Sequence, residues 1–315
     1  MLTIIIFTNS RYNYLFPLLN DIVHSNITIQ IKVVDYGHKN KKITDIFLKY
    51  KNIKFIIGKH NSTFAKRFLN YIKKIKTKYI WFIGDDDRIE TNYLKSLILF
   101  LKLNNNSGFT LDYKPFFKNE IIKKNQQLKK NIEVKTFHLF KNINNLGMLG
   151  AQIINVNNFK KIYKSLNKKI LLNYGYPQIY IILKLIHKFN DWKIITNKIL
   201  FYRYGNFKIN KKNIEERLNF EFKGYLLPAR EIFGLNSEIY KKIFKIIFFK
   251  NIISWIILSI ENIGKDTTKR IINNNIEIIP RNWQINFILN LIYLAPIKSW
   301  LFLKKCKKLL NKIKA

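Results

Sequence analysis

Three consecutive aspartates, Asp85, Asp86 and Asp87, follow the apolar run YIWFI at residues 79–83 in a chain that is otherwise strongly basic. Their mutual repulsion does not help folding unless a cation or several hydrogen-bond donors compensate it, and Arg88 alone cannot neutralise three charges. Mg²⁺ and Mn²⁺ prefer oxygen ligands and often bind through one or two carboxylates together with substrate phosphates. The cluster therefore favours a divalent metal site, and the alternative is a solvated turn before a helix.

The elements that would position these aspartates alternate along the chain. Predicted strands lie at 2–7, 29–35, 53–57 and 79–83, and predicted helices, marked by apolar residues three and four apart, at 14–23, 41–51, 64–75 and 91–101. Thr91 is predicted to cap the last helix. This alternation predicts an α/β fold with a mostly parallel sheet covered by helices on both faces. Ligands bind beyond the carboxyl ends of such strands, where both Asp35 and the three aspartates lie.

The composition limits the possible classes of protein. The 315 residues, 48% of them hydrophobic, can bury a large core, which excludes a disordered protein. Fifty-seven Lys and Arg against 19 Asp and Glu give a net charge of +38, which indicates a polyanionic partner or, equally, AT-rich codon usage that favours lysine. The single cysteine, Cys306, excludes an internal disulfide and fits a reducing cytosol. The first residues lack a basic region before the apolar stretch and are predicted to form a strand, not a signal peptide.

Four segments resemble the family 2 glycosyltransferases of GT-A fold: TIIIFTNSRYNYL at 3–15, VVDYGHKN at 33–40, NSTFAKRF at 61–68 and FIGDDDRI at 82–89. The first resembles the opening strand and loop of the family, and the second resembles its Asp-Asp-Gly-Ser-x-Asp segment with only the first acid kept. The third resembles the Asn-x-Gly-x-x-x-Arg helix start, and the fourth resembles the Asp-x-Asp-type motif. The resemblance covers residues 1–110 and, more loosely, residues 146–205, which include an acceptor-side loop and strand.

The resemblance implies a GT-A domain with a helical C-terminal region and assigns site residues by matching positions. Asp86 and Asp87 match the metal ligands, which implies Mn²⁺ or Mg²⁺ as cofactor. The positions that match contacts to a nucleotide-sugar donor are Thr8, Asn9, Asp35, Arg67 and Asp85. Gly84 stands where many relatives have the first acid of the motif. Asp86 and Asp87 are then the closest matches, and Asp85 is an additional acid at a shifted position.

The general base is the residue that the resemblance leaves open. Many relatives carry a carboxylate just before a helix about 90 residues beyond the metal motif, whereas this chain has Pro177 and Gln178 there. Asp112, in FTLDYKPF, is the alternative candidate for the base, and a surface aspartate without a catalytic role is the competing interpretation.

The resemblance implies transfer of a hexosyl or deoxyhexosyl group from a nucleotide sugar to a glycan or lipid-linked glycan in bacterial surface polysaccharide synthesis, as in abequosyltransferase-like enzymes. A nucleotidyltransferase would share the metal chemistry, but the loop after the first strand lacks its glycine-rich basic pattern. A non-catalytic family member would explain the missing base. A nucleic-acid-binding protein would explain the charge, but clustered aspartates repel phosphates, and no nucleic acid partner is expected.

The chain is predicted to divide into a GT-A domain at 1–205 and a helical, basic region at 206–315. Two long apolar segments, 243–260 and 285–303, approach the length of a membrane span, but lysine and asparagine interrupt both, so buried or interfacial helices are predicted. The tail, 304–315, carries six lysines, and each is worth about 1 kcal/mol near an anionic leaflet. The protein is therefore predicted to be cytoplasmic and peripheral at the inner face of the cell membrane, with an anionic membrane surface as partner.

Overall fold

The chain forms two compact units, Met1–Phe207 and Lys208–Ala315. The structure, a computed structural model, describes residues 1–25, 27, 29–37, 41–58, 63–117, 131–173, 176–204, 210–280 and 289–290. The division between the units falls two positions after the predicted domain boundary at residue 205.

The first unit is built on one mixed sheet. Its nine strands among the described residues are β1 (Leu2–Thr8), β2 (Gln30–Asp35), β3 (Ile53–Ile57), β4 (Tyr79–Gly84), β5 (Arg88–Ile89), β6 (Gly108–Phe116), β7 (Val134–Thr136), β8 (Gln152–Asn155) and β9 (Lys193–Arg203). Their order is β3-β2-β1-β4-β8-β6-β9-β5, with β7 also paired to β9. Strands β1 to β4 pair in parallel, β6 and β9 form a further parallel pair, and β5, β7 and β8 run antiparallel to their neighbours. The predicted mostly parallel α/β sheet is confirmed.

The central strands are buried on both faces, as crossover helices require. Consecutive residues Ile4, Ile5 and Ile6 of β1 are all fully buried although their side chains alternate between the two faces. The helices of this unit are α1 (Tyr12–His24), α2 (Lys41–Leu48), α3 (Phe64–Lys74), α4 (Leu94–Leu103), α5 (Leu139–Asn142), α6 (Val156–Tyr163), α7 (Lys168–Asn173) and α8 (Pro177–Phe189).

Helix α4 begins differently from the prediction. Thr91 does not cap it, because residues Thr91–Tyr93 form a 3₁₀ turn and α4 starts at Leu94 without a side-chain cap. Thr91 is itself buried, at 9% exposure, so its side chain packs inside the protein. A tight turn thus replaces the predicted first turn of the helix.

The second unit is helical where it is described, as predicted. Its helices are α9 (Lys211–Phe220), α10 (Leu227–Phe233), α11 (Glu238–Ile247), α12 (Ile253–Ile263) and α13 (Lys265–Asn273). The π-helical segment Phe248–Ile252 joins α11 to α12 into one stretch, Glu238–Ile263. Among the described residues this stretch alone is long and apolar enough to cross a membrane, and 44% of its most apolar part is buried within the protein.

Candidate active site

The carboxyl ends of three neighbouring parallel strands bring the predicted acidic residues to one edge of the sheet. Thr8 at the end of β1 pairs in register with Asp35 at the end of β2. On its other side, β1 pairs with β4, where Phe7 lies beside Gly84, the residue before the three aspartates. The sheet therefore brings Asp35 and the aspartate cluster to opposite sides of the β1 terminus.

Asp35 is buried and holds the turn that follows β1. Its Oδ1 accepts hydrogen bonds from the backbone N–H of Ser10 at 3.1 Å and of Gly37 at 2.9 Å, and its Oδ2 accepts one from the Tyr12 hydroxyl. Ser10 has a left-handed backbone with φ of 56°. A Cβ on Gly37 would lie 1.9 Å from the Ser10 Oγ, so this turn requires glycine at position 37. Asp35 thus fixes the loop that faces the other aspartates.

Asp85 is fully buried and is held by the same loop. Its Oδ2 accepts a hydrogen bond from the Thr8 Oγ1 at 2.6 Å and another from the Arg11 Nε at 3.0 Å. The Arg11 Nη2 pairs with the other carboxylate oxygen, so the guanidinium grips Asp85 at two points. Burial raises the pKa of Asp85, and the Thr8 hydroxyl and Arg11 partly offset this effect. Asp85 therefore positions Arg11, and its oxygens are occupied by protein donors.

Arg11 links this buried aspartate to the more exposed part of the cluster. Its Nη1 lies 3.3 Å from an Asp86 carboxylate oxygen, and its side chain is 45% exposed. Burial lowers the pKa of Arg11, but attraction by Asp85 and Asp86 outweighs burial and raises it, so the guanidinium stays charged. The site consequently contains a fixed, partly exposed cation beside its carboxylates.

Asp86 and Asp87 turn carboxylate oxygens towards the same small space beside Gly84. A Cβ on Gly84 would lie 3.0 Å from the Asp86 Oδ1 and 3.1 Å from the Asp87 Oδ2. Gly150, from the loop before β8, approaches Asp87 from another direction, since its Cβ would lie 2.8 Å from the same Oδ2. Burial, and next the charge of Asp86, raise the pKa of Asp87 to about 7, although the N–H of Gly84 and a backbone donor from Arg203 lower it.

Two converging carboxylates fit the donor set of a hard divalent ion. Among the described residues no group of three or more Asp, Glu, His or Cys side chains could hold a metal, so Asp86 and Asp87 would be the protein's whole contribution. Mg²⁺ commonly binds through one or two carboxylates and completes its coordination with water and substrate phosphates. The pair is therefore compatible with an ion that is shared with a diphosphate.

Arg67 lies near the Asp35 side of the site. Its guanidinium carbon lies 3.8 Å from the centre of the Tyr36 ring, within the range of a cation–π interaction. Burial, with the neighbouring Tyr71, raises the pKa of Tyr36 to about 12, although Arg67 lowers it. Gly58 permits this packing, since its Cβ would lie 2.2 Å from the ring. Arg67 therefore packs over the ring of Tyr36, the buried residue next to Asp35.

Other predicted positions lie apart from these contacts. Asn9 is exposed in the loop after β1. Asp112 is exposed on β6 and accepts a hydrogen bond from the backbone of Tyr113, and none of the described hydrogen bonds or ion pairs joins it to the aspartate cluster. Gln178 is buried at the start of α8 and donates to the Gly147 carbonyl at 3.2 Å. The Gln178 amide cannot act as a general base. The assignment of Asp112 as the base stays a prediction.

Two arginines at the site were not predicted from the sequence. Besides Arg11, Arg203 at the end of β9 donates from Nε to the Asp86 carbonyl at 3.1 Å. Its guanidinium carbon also lies 4.9 Å from the centre of the Tyr14 ring. For Arg11 the available signal was its position, three residues beyond the end of a buried parallel strand. Arg203 lies among the aromatic residues of FYRYGNF, a pattern that can stack on a sugar or a base but more commonly packs against the sheet.

The model of the family described as "Glycosyl transferase family 2" matches residues 3–218, more than half of the chain. The chain belongs to this family. The match begins in β1, includes every site residue described above and ends within α9. The protein is accordingly a glycosyltransferase, and the resemblance to family 2 is confirmed.

Solved structures of TarS from S. aureus share the fold. The crystal structure of TarS 1–349 aligns with 89% of this chain and 81% of its own, at 15% identity and a TM-score of 0.64. Its complex with UDP-GlcNAc aligns over the same shares at 13% identity and a TM-score of 0.63. The complex with UDP aligns with 83% of this chain and 70% of its own, at 14% identity and a TM-score of 0.51. No curated protein matches the chain. The likenesses to the TarS structures confirm the GT-A fold.

Proposed function

We propose that the protein transfers a sugar, hexosyl or deoxyhexosyl, from a nucleotide-sugar donor to a glycan acceptor. The observation that carries this proposal is the convergence of Asp35, Arg11 and the aspartate cluster at the carboxyl ends of β1, β2 and β4. The TarS complexes with UDP and UDP-GlcNAc support a uridine nucleotide as the first donor to test.

The transfer exchanges one bond at the anomeric carbon. An acceptor hydroxyl oxygen attacks this carbon, the bond to the diphosphate oxygen breaks, and the leaving nucleoside diphosphate keeps the electron pair. The acceptor proton must pass to a base, for which Asp112 remains the candidate. Arg11 is a fixed cation that can attract the negative charge that develops on the leaving group. Asp85 and Thr8 keep its guanidinium in place and reduce the reorganisation required during the reaction.

Asp86 and Asp87 would hold Mn²⁺ or Mg²⁺ together with the donor diphosphate. The metal would add positive charge beside the leaving group and thereby stabilise it. The closeness of the two carboxylate groups, whose repulsion contributes to the raised pKa of Asp87, supports this assignment. Thr8, Asn9, Asp35, Arg67 and Asp85 would line or support the nucleotide-sugar site.

The acceptor would be a lipid-linked glycan of bacterial surface polysaccharide synthesis, in the manner of abequosyltransferase-like enzymes. This proposal requires a protein at the inner face of the cell membrane, and the lysine-rich tail supports that location by charge.

We expect the protein to sediment with anionic liposomes at low salt and to be released by high salt or by deletion of residues 285–315, most of which lie outside the described residues. Retention after an alkaline carbonate wash would instead establish an integral membrane protein.

The donor assignment can be tested with Asp86→Asn and Asp87→Asn in one variant. Purified protein would be titrated with UDP and a panel of nucleotide sugars, with and without Mn²⁺, and sugar release would be measured. We expect the variant to lose the Mn²⁺-dependent part of donor binding and at least about 100-fold in turnover, because removal of catalytic electrostatic groups commonly has effects of this size. Its melting temperature should not fall, since neutralisation relieves like-charge repulsion.

Asp45→Asn is the control, because Asp45 is an exposed carboxylate on α2 and none of the described hydrogen bonds or ion pairs joins it to the aspartate cluster. It should bind donor and metal like the wild type. If the double variant kept wild-type, Mn²⁺-dependent donor affinity and turnover, the metal assignment would be wrong. Absence of nucleotide binding by the wild-type protein would contradict the proposed function itself.

A further inference from the structure

A cavity of about 970 Å³ lies at the opposite edge of the sheet from the aspartates. It is lined by residues at the amino ends of β2, β3 and β4 and by the last residues of α3. Six of its twelve lining residues are lysines: Lys32, Lys51, Lys54, Lys74, Lys76 and Lys78. None of the described lining residues is acidic. We call this feature the lysine cavity.

The positive charges in the lysine cavity are close together and uncompensated. Lys32 on β2 and Lys54 on β3 are direct partners in the parallel register, and like charges in such positions are unfavourable for sheet pairing. Within the part of the chain that the structure describes, no carboxylate lies within ion-pair distance of Lys32, Lys54 or Lys74. Burial, and then repulsion by Lys54 and Lys74, lower the pKa of Lys32. The fold therefore maintains an arrangement that opposes its own stability.

Codon bias explains a high number of lysines but not this arrangement. With 57 Lys and Arg against 19 Asp and Glu, lysine is common on any exposed surface, so the positions of the cavity lysines are informative and their number is not. Composition does not require Lys32 and Lys54 to be direct neighbours on adjacent strands within one concave surface. Their concentration in one concave surface points to an anionic ligand that offsets the repulsion.

We propose that the lysine cavity is a second binding site, separate from the donor site, for a flexible polyanion that carries repeated phosphate groups. Its volume exceeds that of a single phosphate group, and its lysines come from several elements, so it can contact several phosphates of one chain. Lysine provides mobile point charges, which suit a flexible chain better than the fixed geometry of one bound phosphate.

The lining also discriminates among classes of polyanion. Its described residues include no aromatic side chain, whereas single-stranded nucleic acids are commonly bound by stacking on aromatic rings. The surface is concave, whereas a membrane is a flat surface that contacts protruding side chains. A soluble phosphate polymer therefore fits the lysine cavity better than a nucleic acid or a bilayer.

The two sites are about 20 Å apart, because β1 has seven residues and a strand rises about 3.3 Å per residue. A ligand in the lysine cavity would consequently not compete with a nucleotide at the aspartates. The proposal does not depend on the glycosyl transfer reaction, and binding at the two sites can be measured separately.

The test is binding of long-chain inorganic polyphosphate to the full-length protein. The cavity variant carries Lys54→Glu, Lys74→Glu and Lys76→Glu, three substitutions at exposed positions. The control variant carries Lys95→Glu, Lys141→Glu and Lys198→Glu, which are also exposed and do not line the cavity. Both variants change the net charge equally, so only the location of the change differs.

We expect the cavity variant to lose at least about 10-fold in polyphosphate affinity at low salt, and the control to lose about 2-fold or less, since local contacts dominate binding of a polyanion. Affinity of the wild type should fall steeply with salt, and the slope should be smaller for the cavity variant. UDP affinity should be unchanged in both, which separates this site from the donor site. A melting curve like that of the wild type shows that the cavity variant is folded.

Equal losses in the two variants would overturn the proposal, because net charge alone would then explain binding. Vesicles containing phosphatidylglycerol are the second probe. Loss of vesicle binding in the cavity variant with polyphosphate binding retained would also overturn it and would assign the lysine cavity to the membrane. If the cavity variant were unfolded, Lys51→Gln with Lys76→Gln, two exposed turn positions, provides the same comparison without charge reversal.

Discussion

Replacement of Arg11 tests whether the Asp85–Arg11 pair organises the active site. The Asp85 side chain is fully buried, and the Arg11 side chain is 45% exposed. Removing one partner of a buried ion pair costs about 3–5 kcal/mol, because it leaves an uncompensated charge. Water reaches Arg11, and the Thr8 hydroxyl still donates to Asp85 at 2.6 Å. We therefore expect Arg11→Ala to lower the free energy of unfolding by a smaller amount, about 2–3 kcal/mol.

The double variant Arg11→Ala/Asp85→Asn measures the interaction between the two residues apart from the effect of each substitution alone. Asparagine has nearly the shape of aspartate, can still accept the Thr8 hydrogen bond and leaves no buried charge. We therefore expect the double variant to be more stable than Arg11→Ala alone, with a coupling free energy of about 1–2 kcal/mol between the two positions. Urea unfolding, with the midpoint compared at constant m-value, measures each free energy.

Lys212→Ala is the control for removal of an ion pair. Its pair with Glu216 is exposed on both sides, with 84% and 51% of the side chains accessible, so its loss should cost less than about 0.5 kcal/mol. If the Arg11 and Asp85 effects were simply additive, the two residues would be energetically independent. The account of Asp85 as the residue that positions Arg11 would then be wrong.

Three further predictions concern other parts of the chain. Arg67→Ala should reduce nucleoside diphosphate affinity by about 10- to 100-fold in calorimetry, because a charge-assisted hydrogen bond is worth about 1.5–3 kcal/mol; unchanged affinity would remove Arg67 from the site. Gly150→Ala should lower stability by about 1–3 kcal/mol and displace Asp87, since the new Cβ would lie 2.8 Å from its carboxylate; a wild-type melting temperature and donor affinity would contradict this. Burial raises the pKa of Glu221, although Arg217 and Asn251 lower it, so the folded protein holds this proton more tightly than the unfolded chain. Stability should therefore fall as pH rises from the unfolded pKa of about 4.3 through the higher folded value, and Glu221→Gln should flatten this dependence in thermal melts; an identical pH profile would contradict it.

The parallel half of the sheet could be predicted because its strands carry their own signal. A strand buried on both faces needs a continuous apolar run, and LTIIIF and YIWFI provide one at β1 and β4. The other half could not be predicted in the same way. Strands β6 and β9 pair in parallel although about 80 residues separate them, and β5 has only two residues. Pairing over such distances depends on tertiary contacts, which local sequence patterns do not contain.

The positions of the acidic residues were predictable, but their partners were not. Strand ends identify Asp35 and the aspartate cluster without knowledge of side-chain directions. That Thr8 and Arg11 turn to Asp85 while Ser10 and Tyr12 turn to Asp35 depends on the left-handed backbone at Ser10. A serine in that conformation is uncommon, so the sequence TNSRY gave no indication of it.

The distribution of charge along the strands bears on whether the net charge of +38 has a function. A codon bias towards lysine acts on every exposed position alike and predicts no relation between charge and the direction of a strand. In this sheet the carboxyl ends of β2 and β4 carry the aspartates, whereas the amino ends of β2 and β3 carry Lys32 and Lys54. Like charges repel one another within each cluster, although Arg11, Thr8 and backbone donors offset part of this repulsion among the aspartates. Two opposite charge clusters at the two edges of this sheet are the arrangement that the two proposed ligands require, a diphosphate with a divalent metal at the aspartates and a phosphate polymer at the lysine cavity.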